Sequence, residues 1–332
     1  MSDVQYDVVG LGNAIVDVIA PVDDAFLDKW EIRKDGMTLI DEPRAEALTG
    51  ATTDALETSG GSGANTIAGI AGLGGKAGYI GKVAEDRLGT VFRTQMEKAG
   101  VPFPTLPLVD GPATARSIIF VTPDGKRSMN TYLGASVMFS PADVDEDMVK
   151  ASAILYLEGY LFDREDAKAA FVHASELAKA ASRKVALTLS DNFCVGRHRD
   201  SFRHLIKGHV DILFANEEEL KSLYETEDFD TAIASLSAET EVAAVTRSEL
   251  GSVVIGPGER HDLAAEPVSG VVDTTGAGDQ YAAGFLFGQA RGLDLQTSGK
   301  LGHIAAAEVI QHFGPRPETS LLDLATAAGV RL

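Results

Sequence analysis

The sequence predicts an α/β fold: a doubly wound, mainly parallel sheet flanked by helices, with a small β appendage. Three observations point there. Short apolar runs rich in β-branched residues alternate with longer stretches of helical period, the pattern of strands buried between helical layers. Two stretches break that alternation, and no linker sets them apart, so they read as insertions in a single domain covering residues 1–332. The chain has 332 residues, 45% of them hydrophobic, and 34 glycines, enough for one large core with a smaller insertion.

In chain order, residues 6–12 form the first buried strand and enter a Gly-rich turn. Further strands are expected at residues 77–83, 153–160, 185–190, 212–216, 242–246 and 252–255, most of them separated by helices. The clearest helix covers residues 164–183, where Ala167, Ala170, Phe171, Ala174, Leu177, Ala178 and Ala181 share one face and need a sheet to lie against. The breaks fall at residues 22–41 and 114–132. The second reads as two strands joined by the Pro-Asp-Gly-Lys turn at residues 123–126. An appendage built from two separated segments, about 14–45 and 108–135, could close over a site and exclude water; it could equally be an ordinary insertion.

The balance of 49 acidic against 29 basic residues leaves a formal charge of −20, so a nucleic-acid backbone would meet repulsion in place of counterion release. Any anionic ligand must be held locally, by backbone N–H groups, a helix N-terminus, a few Arg or Lys, or a bound cation. The single cysteine, Cys194, excludes an intrachain disulfide framework, and the seven histidines make no zinc-ligand spacing with it, which fits a reducing cytoplasm. The start, MSDVQYDVV, has no basic leader, and no apolar run approaches the ~20 residues that cross a bilayer, so the chain reads as soluble and without a membrane partner. Gly10 and Gly12 follow the first strand, but Ile15 stands where a dinucleotide fingerprint needs a small residue. None of the Gly-Lys pairs at 75/76, 81/82 and 125/126 has P-loop spacing, so phosphate must be bound elsewhere.

The informative stretch is VVDTTGAGDQYAAGFLFGQARG, residues 271–292, where a β-type run reaches Asp273, a Gly-Ala-Gly turn follows and a helix opens near Asp279. With little side-chain bulk at Gly276, Ala277 and Gly278, three N–H groups can point at one anion, helped by the helix dipole. Asp279 beside that hole is a carboxylate able to accept a hydroxyl proton. A helix N-cap made by Thr274 or Thr275 explains the same residues without chemistry.

DTTGAGD, residues 273–279, resembles the C-terminal signature of the PfkB carbohydrate and nucleoside kinases, and the likeness runs from GNAIVD at residues 12–17 to GPRP at residues 314–317. The resemblance implies a ribokinase-like fold whose β appendage is a lid, ATP-dependent phosphorylation of a hydroxyl with Asp279 as base, Mg2+, and in some relatives K+. GGSGANTIAGIAGLGG, residues 60–75, resembles the family's N-terminal signature and makes Gly61 and Asn65 substrate contacts. Taken alone, Gly60, Gly61 and Gly63 let backbone approach a ligand and Asn65 offers a donor and an acceptor, while tight helix packing also accounts for the glycines. Asn13 and Asp17 fall after the first strand; the resemblance makes them substrate ligands, and alone Asp17 reads equally as an exposed turn acid.

NEEEL resembles the family's Asn-x-x-Glu motif, which orients magnesium-bound water and nucleotide phosphates at Asn216 and Glu219; without it, three glutamates opening a helix complement the dipole. The resemblance further implies nucleotide contacts at Thr246 and Gly251, an adenine site near Ala306 and Ile310, two residues that read equally as core, on a helix over residues 299–312, and a monovalent-cation site at Asp273 and Thr275. Arg127 resembles a lid arginine that reaches the transferring phosphate; a solvated turn charge is the plain alternative.

GNAIVD, and Tyr160 where adenosine kinases place a base-stacking aromatic, look more like adenosine kinases than ribokinases or fructokinases. They favour the 5′-OH of adenosine, giving AMP and ADP. The region of Met37 and Thr38 lacks the polar amide that adenosine kinases show there, which keeps a sugar acceptor open: ribose, fructose or a keto-deoxy sugar acid. A ligand-binding regulator without turnover is the reading from another class, opposed by the intact Asp279 and Gly-Ala-Gly turn. The expected partner is a small nucleoside or sugar, bound by a monomer or homodimer.

Overall fold

Eight strands of the computed structural model, which describes residues 3–331, form one sheet in the order β13-β12-β11-β10-β9-β8-β1-β5; the expected domain's Met1, Ser2 and Leu332 lie outside the described residues. β1 (Tyr6–Leu11), β5 (Ala77–Ile80), β8 (Ser152–Glu158), β9 (Lys184–Thr188), β10 (Ile212–Asn216) and β11 (Val242–Thr246) run parallel. β12 (Ser252–Gly256) and β13 (Glu259–Leu263) close one edge antiparallel. The parallel strands are near-continuous apolar runs because both their faces are covered. Val8, Tyr79, Ile154, Tyr156, Ile212 and Phe214 pack into one core with the helices Ser62–Gly72, Ala277–Ala290 and Leu295–Val309. Val9, Ile80, Leu155, Leu157 and Leu213 pack into the other with Glu165–Ala180, Asn192–Gly208, Glu217–Tyr224 and Phe229–Ser237. The outermost strand, ERHDL, carries charges that discourage further pairing.

All seven strands expected from the sequence are present, as are the two strands around the Pro-Asp-Gly-Lys turn. Those two, β6 (Ala115–Val121) and β7 (Arg127–Tyr132), join β2 (Ile15–Pro21), β3 (Met37–Leu39) and β4 (Leu56–Gly60) in a second sheet of order β3-β7-β6-β2-β4. Residues 22–41 contribute little strand to the appendage: Asp23 accepts from the Phe26 N–H and starts the helix Asp24–Lys29, leaving only Met37–Leu39 to pair. The first inserted segment also runs past residue 45, through the helix Glu42–Ala51 to β4. LETSG has too few apolar residues to read as a strand alone; its antiparallel pairing with β2 makes it one.

Alternation divides the faces of this smaller sheet. Val16, Val18, Ala20, Ile118 and Phe120 enter the core with Leu27, Leu48, Phe92 and Met96. Asp17, level with Ser117 and Thr58, lies on the other face. In the large sheet the chain passes from β1 to β5 on one side and later returns through β8 on the other. That topological switch point opens a crevice at the strands' C-terminal ends, where open α/β sheets bind ligands. No helix among the described residues is long and apolar enough to cross a membrane.

Candidate active site

Asp279 is the third residue of the helix Ala277–Ala290, whose N-cap Gly276 has φ +80°. That left-handed geometry favours glycine, and an added Cβ would lie 2.7 Å from the Pro315 Cα, so the turn interlocks with the loop at residues 313–316. Gln280 reinforces the join, donating to the carbonyls of Asn65 (3.1 Å) and Pro315 (3.0 Å). A Cβ at Gly278 would meet no protein atom, so the space over the turn is open. The expected convergence of three N–H groups is corrected to two: Ala277 N–H donates to the Thr274 carbonyl at 3.2 Å, because the turn must close on itself to start the helix. The Gly276 and Gly278 N–H groups meet no acceptor among the described residues.

Around Asp279 the carboxylate is held from the helix Ser62–Gly72. Ser62 Oγ donates to Oδ1 at 2.6 Å and Asn65 Nδ2 donates to Oδ2 at 3.2 Å. Burial pushes the Asp279 carboxyl up to about 6, against the pull of these two hydrogen bonds. It is therefore about nine-tenths ionised at pH 7 and close enough to neutrality to take up a proton. Gly61 caps the Ser62–Gly72 helix with φ +90°, and an added Cβ there would sit 2.6 Å from the Asn13 carbonyl.

At the switch point itself, the Asn13 N–H donates to Glu158 Oε2 at 2.6 Å and Tyr79 Oη donates to the Asn13 carbonyl at 3.0 Å. Glu158, at the end of β8, is 1% exposed; burial pushes its carboxyl up to about 8, opposed by the Asn13 N–H. Both side-chain atoms of Asn13 are buried without a partner. A buried amide that offers two donors and an acceptor beside the Glu158 carboxyl is suited to ligand hydroxyls. Asn65, by contrast, uses its amide on Asp279 and its carbonyl on Arg316, whose Nε donates at 3.4 Å.

Asp17 faces the same crevice from the smaller sheet. Burial raises its carboxyl to about 6, partly offset by the Arg127 and Arg316 guanidiniums. Arg127 and Arg316 both line an apolar cavity of about 380 Å³ between β2, β4 and the 313–316 loop. Arg127, at the start of β7, is buried and paired with Asp273, with Nη1 also donating to Thr275 Oγ1 at 3.3 Å.

Along the large sheet, Tyr160 follows β8, with its N–H donating to Ser190 Oγ at 3.1 Å. Asn216 ends β10 and makes a reciprocal cap with Glu219: its Oδ1 accepts from the Glu219 N–H at 2.8 Å, and the Glu219 carboxylate accepts from the Asn216 N–H at 3.0 Å. The capping alternative is therefore present. Burial pushes the Glu219 carboxyl up to about 7, the Asn216 N–H opposing and the Asp191 carboxylate adding. Thr246 ends β11; Gly251 (φ +90°) packs where a Cβ would be 1.9 Å from the Leu263 carbonyl, which requires a glycine there. Ala306 packs against the core, and the Ile310 carbonyl accepts from the Val272 N–H at 2.8 Å, anchoring the segment into Asp273, which is irregular and not the β-type run expected from the sequence.

The sequence reading named neither Glu158, Ser62, Gln280 nor Arg316 as site residues. Ser62 and Arg316 lie inside matched stretches, GGSGAN and GPRP, and Glu158 ends an expected strand; Gln280 carries no local signal.

A carboxylate beside a turn with unpartnered N–H groups, at the mouth of a switch-point crevice, is an arrangement suited to phosphoryl transfer to an alcohol. Residues 37–320 match the model of the pfkB family of carbohydrate kinases, and the chain belongs to that family of ATP-dependent kinases. The crystal structure of a probable sugar kinase protein from Rhizobium etli is 49% identical, superposes with a TM-score of 0.92 and covers 99% of this chain and 100% of that one. That of adenosine kinase from Sinorhizobium meliloti is 52% identical, with a TM-score of 0.90, covering 98% and 99%. Adenosine kinase of Saccharomyces cerevisiae is 28% identical over 329 residues, 92% of this chain and 95% of that protein.

Proposed function

We propose that this kinase transfers the γ-phosphoryl group of ATP to the 5′-OH of adenosine, giving AMP and ADP. The observation that carries the chemistry is Asp279, held by Ser62 at 2.6 Å and by Asn65 next to two unpartnered turn N–H groups. The choice of a nucleoside is supported by the 52% identity to the Sinorhizobium meliloti adenosine kinase over nearly the whole chain.

Asp17 and Asn13 would bind the ribose hydroxyls, with Gly61 allowing the close approach and Tyr160 lying against the base. Asp279 takes the proton as the hydroxyl attacks in line, and the Gly276 and Gly278 N–H groups with the helix dipole stabilise the charge that develops. Magnesium, when bound, draws charge from the phosphates; Asn216 and Glu219 would hold it through water. Thr246, Gly251, Ala306 and Ile310 border the space assigned to the nucleotide. The smaller sheet, carrying Asp17 and Arg127, acts as the lid, excluding water by bringing its Asp17 face over the crevice.

A sugar acceptor is the second reading, favoured by Glu158. A buried carboxyl raised to about 8 is protonated at pH 7 and could donate to a sugar hydroxyl beside Asn13. The test is ADP release from MgATP across adenosine, inosine, guanosine, cytidine, ribose, fructose and 2-keto-3-deoxygluconate. Turnover on adenosine above the others supports the proposal; preference for a free sugar replaces it with the second reading. Tight ligand binding with no transfer to any acceptor moves the protein to the regulator class.

A further inference from the structure

We infer that the Arg127 guanidinium takes the place a monovalent cation would need at Asp273 and Thr275, so phosphoryl transfer by this chain is independent of potassium. The inference rests on the kinase reading above for the turn that it positions. Its warrant is the hydrogen-bond inventory of Asp273. An ionised carboxylate offers about four lone-pair sites. Oδ1 accepts from the Thr275 N–H at 3.0 Å and from Thr275 Oγ1 at 2.7 Å; Oδ2 accepts from the Gly314 N–H at 3.0 Å and from Arg127 Nη1. All four are filled, one of them by a positive charge, and Arg127 and Asp273 are 9% and 8% exposed.

The residues present therefore do not fit a further cation. A second positive charge brought against the Asp273 carboxylate would stand beside the guanidinium and be repelled by it in this enclosed place. An ion at Asp273 would have to displace the guanidinium or bear that repulsion.

What the pair positions is the anion turn. Asp273 ties the irregular segment anchored on the Ile310 carbonyl to the Gly314 N–H, and the next residue, Pro315, packs on Gly276 while its carbonyl accepts from Gln280. A buried carboxylate at this junction needs a counter-charge to stay ionised and bonded. A mobile ion would supply it from solvent; here it comes from the first residue of β7, in the smaller sheet. Arg127 is thus a positioning residue that acts through Asp273, and the order of the turn becomes tied to the seating of that sheet.

The experiment compares wild type, Arg127→Lys and Arg127→Ala in tetramethylammonium or potassium chloride at equal ionic strength, by ADP release and by thermal unfolding. Wild-type kcat is expected to change by less than about two-fold between the two salts, and Arg127→Lys likewise. Arg127→Ala is expected to lose about 100-fold in kcat in tetramethylammonium and to regain about ten-fold or more with potassium or low guanidinium. Its melting temperature, unlike that of wild type, should rise selectively with potassium, since an ion that binds the folded state stabilises it.

Activation of wild type by potassium of about five-fold or more overturns the inference. So does a folded Arg127→Ala that neither potassium nor guanidinium rescues. If no protein transfers phosphate to any acceptor, the kinase reading fails, and the selective melting shift still decides whether Arg127 occupies a cation's place.

Discussion

Replacing Asp279 by Asn removes the proton acceptor and a buried charge with nearly the same shape, and the structure sets the size of both effects. The wild-type carboxyl lies at about 6 against an ordinary value of 3.8. Between those values the folded state holds a proton that the unfolded state has released, so wild-type stability falls as pH rises through that window. At pH 7 the full difference corresponds to at most about 3 kcal/mol, and the residue's partial exposure discounts that to about 1–2 kcal/mol. Asp279→Asn should therefore be equally stable or up to about 2 kcal/mol more stable than wild type at pH 8, with the difference gone by pH 4. Its kcat should fall by about 10²–10⁴-fold while ATP affinity is kept. In wild type, kcat/KM should drop about ten-fold per pH unit below an apparent value near 6, and the residual activity of the variant should lack that limb. ADP release and urea unfolding at pH 4, 6 and 8 measure all of this. A variant within about three-fold of wild-type kcat, or one that keeps the acid limb, would refute the assignment of Asp279 as base.

Gly276→Ala and Gly278→Ala separate packing from chemistry. The first meets Pro315 at φ +80° and should lose about 1–3 kcal/mol, or about 2–4 °C in melting temperature, whereas the second should melt with wild type yet lose kcat because its methyl group enters the open space over the turn. Glu158→Gln mimics the protonated acid and should keep acceptor binding at pH 7. Because the wild-type carboxyl is raised, wild-type stability falls relative to the variant between about 4.5 and 8, which unfolding at pH 5 and 8 will show. Glu219→Gln should leave the helix cap largely intact but raise the Mg2+ concentration for half-maximal rate several-fold, measured by metal titration at fixed ATP.

The strand order was half legible. Continuous apolar runs such as VVGL, ILFAN and VAAVT announce strands buried on both faces, and DTTGAGD announces a turn whose glycines leave N–H groups free. These are local signals because backbone geometry and side-chain period act within a few residues. β4 could not be read that way: LETSG is a strand only because β2 pairs with it.

The sequence alone determined the parallel α/β class and, through the family resemblance of DTTGAGD, the kinase chemistry, and it offered Asp279 as the candidate base, since each rests on residues adjacent in the chain. Only the tertiary structure brought Asn13 against Glu158 across 145 residues and Ser62 against Asp279 across 217, and set Arg127 on Asp273 across 146. Burial at those junctions depends on what the rest of the fold lays over them. That burial raises Glu158 and Asp279 and fills every lone pair of Asp273, which no stretch of sequence records.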